Sequence, residues 1–203
     1  MFLTYYLKGL GLGAGLIVAI GSQNAHVLRM GLLRRHVGLT VLTCIICETL
    51  LIASGVAGMG ALISDSPFML AVARWGGAAF LTWYGLRAWR SALSAGTLAG
   101  NTQAAGATAG QALAAVLAVT LLNPHVYLDA VILLGAVGGQ QPGDGKAWFA
   151  LGAMSAAAVW FTTLGYGARL LSPWFARPVT WRVLDGVIGV VMIALAVVLA
   201  RSG

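Results

Sequence analysis

Nine residues in this sequence carry polar, titratable or helix-breaking chemistry inside otherwise apolar runs. They are Gln23, Asn24 and His26 in "GSQNAHVL", Glu48 in "CIICETLL", Asn123, Pro124, His125 and Asp129 in "TLLNPHVYLD", and Asp185 in "RVLDGV". Carboxylates in such a setting can hold a cation or carry a proton, and histidines can carry protons near neutral pH. Amides and freshly started helices present N–H groups, which suit a carboxylate. Together the two kinds of group describe a site with two ends. A zwitterion with an additional positive charge fits both ends.

An acidic residue at the centre of a bilayer costs about 2.5–3.5 kcal/mol, so each acid needs a reason to be there. Glu48 is the deepest in apolar sequence. Asp129 is four residues after His125 and shares its helical face, so it either meets a ligand or forms a structural His–Asp pair. Asp185 is three residues after Arg182, which leaves a local ion pair and a ligand contact equally open. Asn followed by Pro is a helix-start signature, with Asn123 as N-cap and Pro124 at the first helical position. The fourth apolar run is therefore expected to be two half-helices, with a simple proline kink as the alternative. "GSQNAH" is a second candidate break in the first run. It either lines a wet cavity or sits at the interface ahead of Arg29.

These residues must be positioned by membrane helices. The chain has 203 residues, of which 60% are hydrophobic and 8% charged, too few charges to solvate a soluble domain of this size. The expected fold is all-α, a polytopic membrane protein of six spans. The spans are approximately Leu3–Leu28, Val37–Ile63, Phe68–Trp89, Gln111–Val137, Ala147–Leu171 and Val183–Ala200. The small, polar stretch 91–110 reads as a linker between repeat one, about 1–90, and repeat two, about 111–203, in one transmembrane transporter domain. Asn24, His26 and Val27 recur 99 residues later as Asn123, His125 and Val126. Three helices per half make the halves inverted, with broken helices meeting near the midplane, an architecture of secondary transporters.

The net charge of +7 is not a nucleic-acid footprint, because the basic residues sit at span ends rather than in a patch. Counting them, eight against at most four, places both termini outside the cytoplasm. The N-terminal run lacks the basic start and cleavage site of a signal peptide and reads as a retained span. "GLGLGAG" follows no strand and reads as small-residue helix packing, not as a nucleotide loop. Cys44 and Cys47 have no second ligand pair, so zinc is excluded and packing is the preferred reading.

The motifs "GSQNAHVLRMGL", "ICETLLIASGVAG", "GAAFLTWYGLRAWRSAL", "TLLNPHVYLDAVILLGAVG" and "LGYGARLLSPWFARPVTWRVLDGVIGVVM" together resemble the LysE family of basic amino-acid exporters over nearly the whole chain. The resemblance implies an inner-membrane exporter of L-arginine or L-lysine, coupled to the proton gradient or membrane potential, and not an enzyme. Carried over, it points to Gln23, Asn24, Glu48, Asn123, Pro124 and Asp129 for substrate. It points also to His125 and more weakly to Asp185, while the residues themselves offer His26, His125, Glu48 and Asp129 as proton carriers. Two residues depart from the family pattern: Ser22 stands where Pro is usual, and Glu48 where Asp is frequent. The expected partners are the substrate, a coupling proton and lipid, with no cofactor, metal or nucleic acid, and with the homo-oligomeric state open. Alternatives are export of neutral amino acids or of a metal ion on the same scaffold, although His26, His36 and His125 are spread out for a metal pathway. A thiol–disulfide electron carrier using Cys44 and Cys47 is a further alternative.

Overall fold

Long apolar runs punctuated by glycine, proline and amides produce helices and, among the described residues, no strand. A computed structural model describes residues 2–18, 21–59, 67–93, 108–123, 126–171 and 178–201. Helix α1 is Phe2–Ile17 and α2 is Ser22–Leu33. Helix α3 is Val37–Ser54 and is followed by a π-type turn over Gly55–Met59 that kinks at Gly58, where φ is 114°. Helix α4 is Pro67–Leu93 and α5 is Ala109–Leu121. Helix α6 is π-helical over Tyr127–Leu133 and α-helical over Leu134–Gly139. Helix α7 is Gly145–Gly167, closed by a 3-10 turn at Ala168–Leu171, and α8 is Pro178–Arg201.

The first and fourth apolar runs are each two helices. Leu3–Leu28, expected as one span with a candidate break, is α1 and α2, bent by 80°. The chain turns where polar "GSQNA" interrupts the apolar pattern, and α2 starts at Ser22 behind an extended Gly21. Gln111–Val137 is α5 and α6, parted at residues 122–125, of which Pro124 and His125 lie outside the described residues. Their roles as helix start and proton carrier are therefore not located. The expected linker is shorter than 91–110: α4 runs to Leu93, and Thr108 opens α5 with a capping box shared with Gln111. Residues 94–107 lie outside the described residues. Among the described residues, two stretches, Val37–Gly58 and Gly145–Leu170, are long and apolar enough to cross a bilayer, and the bent pair α1–α2 makes a third.

Lipid gives helices little hydrophobic reason to associate, so close packing has to supply the contact. Helix α1 lies on α7 through small residues. Gly9 rests on the Phe149 carbonyl, Gly152 on the Tyr6 carbonyl, and Gly13 on Ala153. Gly11 and Gly15, on the other face of α1, have open space beside them. The two half-helices that follow the breaks are seated alike. Gly31 of α2 sits against Gly165 and Ala168 at the end of α7. Gly135 of α6 sits against Gly55 at the end of α3, where an added Cβ would meet the Gly55 carbonyl at 2.7 Å.

Helices α4 and α8 pair with each other through Ala78, Leu81, Ala88, Ile188, Met192 and Ala196. This pair leans on the rest of the fold through Ala25 of α2 and Leu128 of α6, both in the first turns after a break. Polar bonds along the pair run from Trp89 Nε1 to the Gly186 carbonyl at 3.3 Å and from Arg182 Nε to the Ala92 carbonyl at 2.9 Å.

The α1–α7 contact predicts a sharp asymmetry within one glycine run. Gly9→Ala and Gly152→Ala should each cost about 1–3 kcal/mol, because a methyl group there meets backbone rather than a movable side chain. Gly11→Ala and Gly15→Ala should leave stability unchanged or raise it, since alanine is the better helix former. Thermal unfolding of the purified protein in detergent checks both pairs.

Candidate binding site at two helix breaks

The two breaks face each other. Ser22, the first residue of α2, donates its hydroxyl to the Val119 carbonyl of α5 at 3.2 Å, in a fully buried bond. Gly21 lies beside the Asn123 side chain, close enough that a Cβ at Gly21 would be 3.8 Å from Asn123 Nδ2. A Cβ at that distance would be in ordinary van der Waals contact, so the two breaks are neighbours without being tightly packed there. With glycine at this position, no side chain caps the first amides of α2.

Helix α3 closes the third side. Cys44, Cys47 and Glu48 form its buried face. Gln23 of α2 and Thr120 of α5 both approach the Cys44 thiol. One turn further on, Glu48 is within electrostatic reach of Asp129 in the first turn of α6. Glu48 is only 4% exposed, and one of its carboxylate oxygens, Oε2, has no hydrogen-bond partner. Gln23 Nε2 and Thr120 Oγ1 are likewise buried without one. A buried donor or acceptor left without a partner is uncommon in a native interior, and each instance calls for an explanation. Here the amide on α2 and the carboxylate on α3 both lie near the Cys44 thiol.

Asn24 has a different situation. Its Nδ2 donates to the Ile17 carbonyl at 2.7 Å, and its Oδ1 accepts from Trp160 Nε1 of α7 at 3.2 Å. Ile17 is the last residue of α1, so the amide satisfies a carbonyl that the helix itself abandons. The second break has a comparable bond: the Tyr127 hydroxyl donates to the carbonyl of Leu121, the last residue of α5, at 2.9 Å. Trp160, Tyr127 and Thr120 are absent from the sequence-based set. Trp160 and Tyr127 look like ordinary apolar filling in their runs, and only the bend of the chain exposes the carbonyls they serve.

Two candidates lie apart from this centre. His26 is on α2 with a buried Nε2, facing the Arg29 side. Asp185 is 3% exposed and does not pair with Arg182, three residues before it. It accepts from the Ser91 hydroxyl at 2.6 Å and lies 3.9 Å from the Arg29 guanidinium. The reason is direction: Arg182 reaches along the pair to Ala92, whereas Asp185 points inward, toward α4 and α2. Among the described residues, no three His, Cys, Asp or Glu side chains gather as a metal site would require.

No solved structure matches the chain. Curated relatives do, along its whole length. The arginine exporter protein ArgO of Yersinia enterocolitica serotype O:8 / biotype 1B is 42% identical over 205 residues, 99% of this chain and 98% of that protein. The arginine exporter protein ArgO of Escherichia coli K12 is 41% identical over 200 residues, 98% of this chain and 95% of its own length. The protein of the same description from Pectobacterium carotovorum subsp. carotovorum PC1 is 40% identical over 198 residues, covering 98% and 97%. The family match runs over residues 14–203, and with it the chain belongs to the LysE type translocator family.

Proposed function

We propose that the chain is a multi-pass inner-membrane exporter of basic L-amino acids, L-arginine foremost. The observation that carries the reading is the convergence of Gln23, at the first helix break beside the Cys44 thiol, and of Glu48, one turn along α3, whose buried Oε2 has no hydrogen-bond partner. The arginine exporters to which the chain is about 40% identical agree with it.

In this reading the substrate carboxylate is held by Gln23, by the uncapped first amides of α2 and by Asn123. The substrate cation lies toward Glu48 and Asp129. Two carboxylates facing each other repel, and a guanidinium or ammonium seated between them turns that repulsion into attraction. Asn24 shapes the first break beside the substrate. Proton coupling is assigned to Glu48 and Asp129, which exchange a proton for the substrate cation, with His26 and His125 as relays. Asp185 has a secondary role beside Arg29.

The proposed architecture is six spans in two inverted halves, about 1–90 and 111–203, forming one transporter domain with both termini outside the cytoplasm. Two correspondences support it. The half-helix α2 packs on α7 through Gly31 and Gly165, and the half-helix α6 packs on α3 through Gly135 and Gly55. Each break carries a bond from the second half-helix back to the last carbonyl of the first. The alternation of access would then turn on the breaks, with α4 and α8 leaning on both.

Two measurements test the reading in proteoliposomes containing the purified chain. Glu48→Gln and Asp129→Asn should each reduce flux of labelled arginine by a factor of ten or more while the protein still inserts. Wild-type flux in both variants would remove the cation site. The double variant Cys44→Ala, Cys47→Ala should retain most of the flux, and its abolition would favour the thiol–disulfide carrier instead.

A further inference from the structure

Lipid offers no water to a backbone carbonyl at the end of a broken helix, so such a group must be bonded from within the protein. At the first break the carbonyl is that of Ile17. The α1 ladder ends when Val18 N–H bonds to Ala14 O, and α2 begins with Ala25 N–H on Gly21 O. Asn24 fills the gap between the two ladders, and Trp160 fills the remaining end of the Asn24 amide. The chemistry fixes the direction of both bonds. An indole N–H can only donate and a carbonyl can only accept, so the amide oxygen must face Trp160 and the amide nitrogen must face Ile17. Rotating the amide would break both bonds together. At the second break Tyr127 O–H bonds to Leu121 O.

In both places the donor comes from the half-helix after the break and the acceptor from the helix before it. The bond therefore sets how the second half-helix leaves the first. Ser22 and Gln23 stand in the first turn of α2, just ahead of Asn24. Asp129 stands two residues after Tyr127 in the first turn of α6. The groups that would meet a ligand thus take their direction from bonds made by residues that do not meet it. We propose that Tyr127 and Trp160 are positioning residues for export, which hold the two breaks in the geometry that binds substrate. The inference rests on the reading of the chain as an exporter with its site at those breaks.

Tyr127→Phe and Trp160→Phe each remove one donor and keep an aromatic ring in place. Trp148→Phe, in the same helix as Trp160 but stacked on Phe2 away from the breaks, is the control. Two quantities are measured on the full chain: arginine KM and Vmax in proteoliposomes, and amide hydrogen exchange over residues 17–25 and 121–128. The expected result is a KM raised about 5–10-fold with Vmax within about twofold, as the loss of one hydrogen bond of roughly 1–1.5 kcal/mol implies. Exchange should be faster at the first break in Trp160→Phe and at the second in Tyr127→Phe, with the control unchanged in both measurements. Unchanged exchange in both variants overturns the proposed bonds. Faster exchange with an unchanged KM overturns the positioning role and leaves a structural one. If the wild-type chain moves no arginine, the exporter reading falls and the positioning role with it, while the exchange data still report whether the bonds hold the breaks.

Discussion

A helix interrupted within an apolar run leaves carbonyls and amides that its own ladder does not satisfy, and the rest of this fold is arranged around how those groups are bonded. The end of α1 is bonded by Asn24, itself held by α7. The end of α5 is bonded by Tyr127. Ser22, which opens α2, bonds across to α5. The bonds from Trp160 to Asn24 and from Ser22 to Val119 tie elements that are distant in sequence, so the breaks fasten the bundle rather than weaken it. Glycine contacts complete the arrangement, because backbones must come close for side chains this short to span the gaps.

Much of this was legible in the sequence. A chain with so few charges and such long apolar runs had to be a helical membrane protein, and its motifs placed it in the family that the comparisons show. Both breaks were legible at their polar residues, "GSQNAH" and "LNPH", since amides and proline stand out sharply against leucine and valine. What was not legible is what answers the breaks. Tyr127 and Trp160 have residue types that apolar runs contain anyway, and their meaning comes only from a carbonyl laid beside them by a bend. The partner of Asp185 was hidden for a related reason. Spacing along one helix favoured Arg182, yet a neighbour in space, Arg29, lies on an element more than 150 residues away in sequence.

The pair α4–α8 has a distinct standing in the fold. It is closely packed within itself and touches both half-helices near their beginnings, at Ala25 and Leu128. Its contact with α2 adds a charged pair, Arg29 and Asp185, to the apolar contact at Ala25, whereas its contact with α6 at Leu128 is apolar alone. The two sides of the pair therefore answer differently to their surroundings. A charged contact in low dielectric depends strongly on geometry and partner, and an apolar one slides at little cost.

The π-helical segment Tyr127–Leu133 has a consequence for the phase of α6. A π turn holds one residue more than an α turn, and that residue rotates everything beyond it by roughly 100°. Here the rotation lets one short helix keep two engagements: Asp129 toward Glu48, and Gly135 flat against Gly55. Deleting a single residue from the segment would restore ordinary α periodicity and preserve only one of them. The length of this segment is thus constrained independently of its composition, and it should accept exchanged side chains far more readily than a missing one.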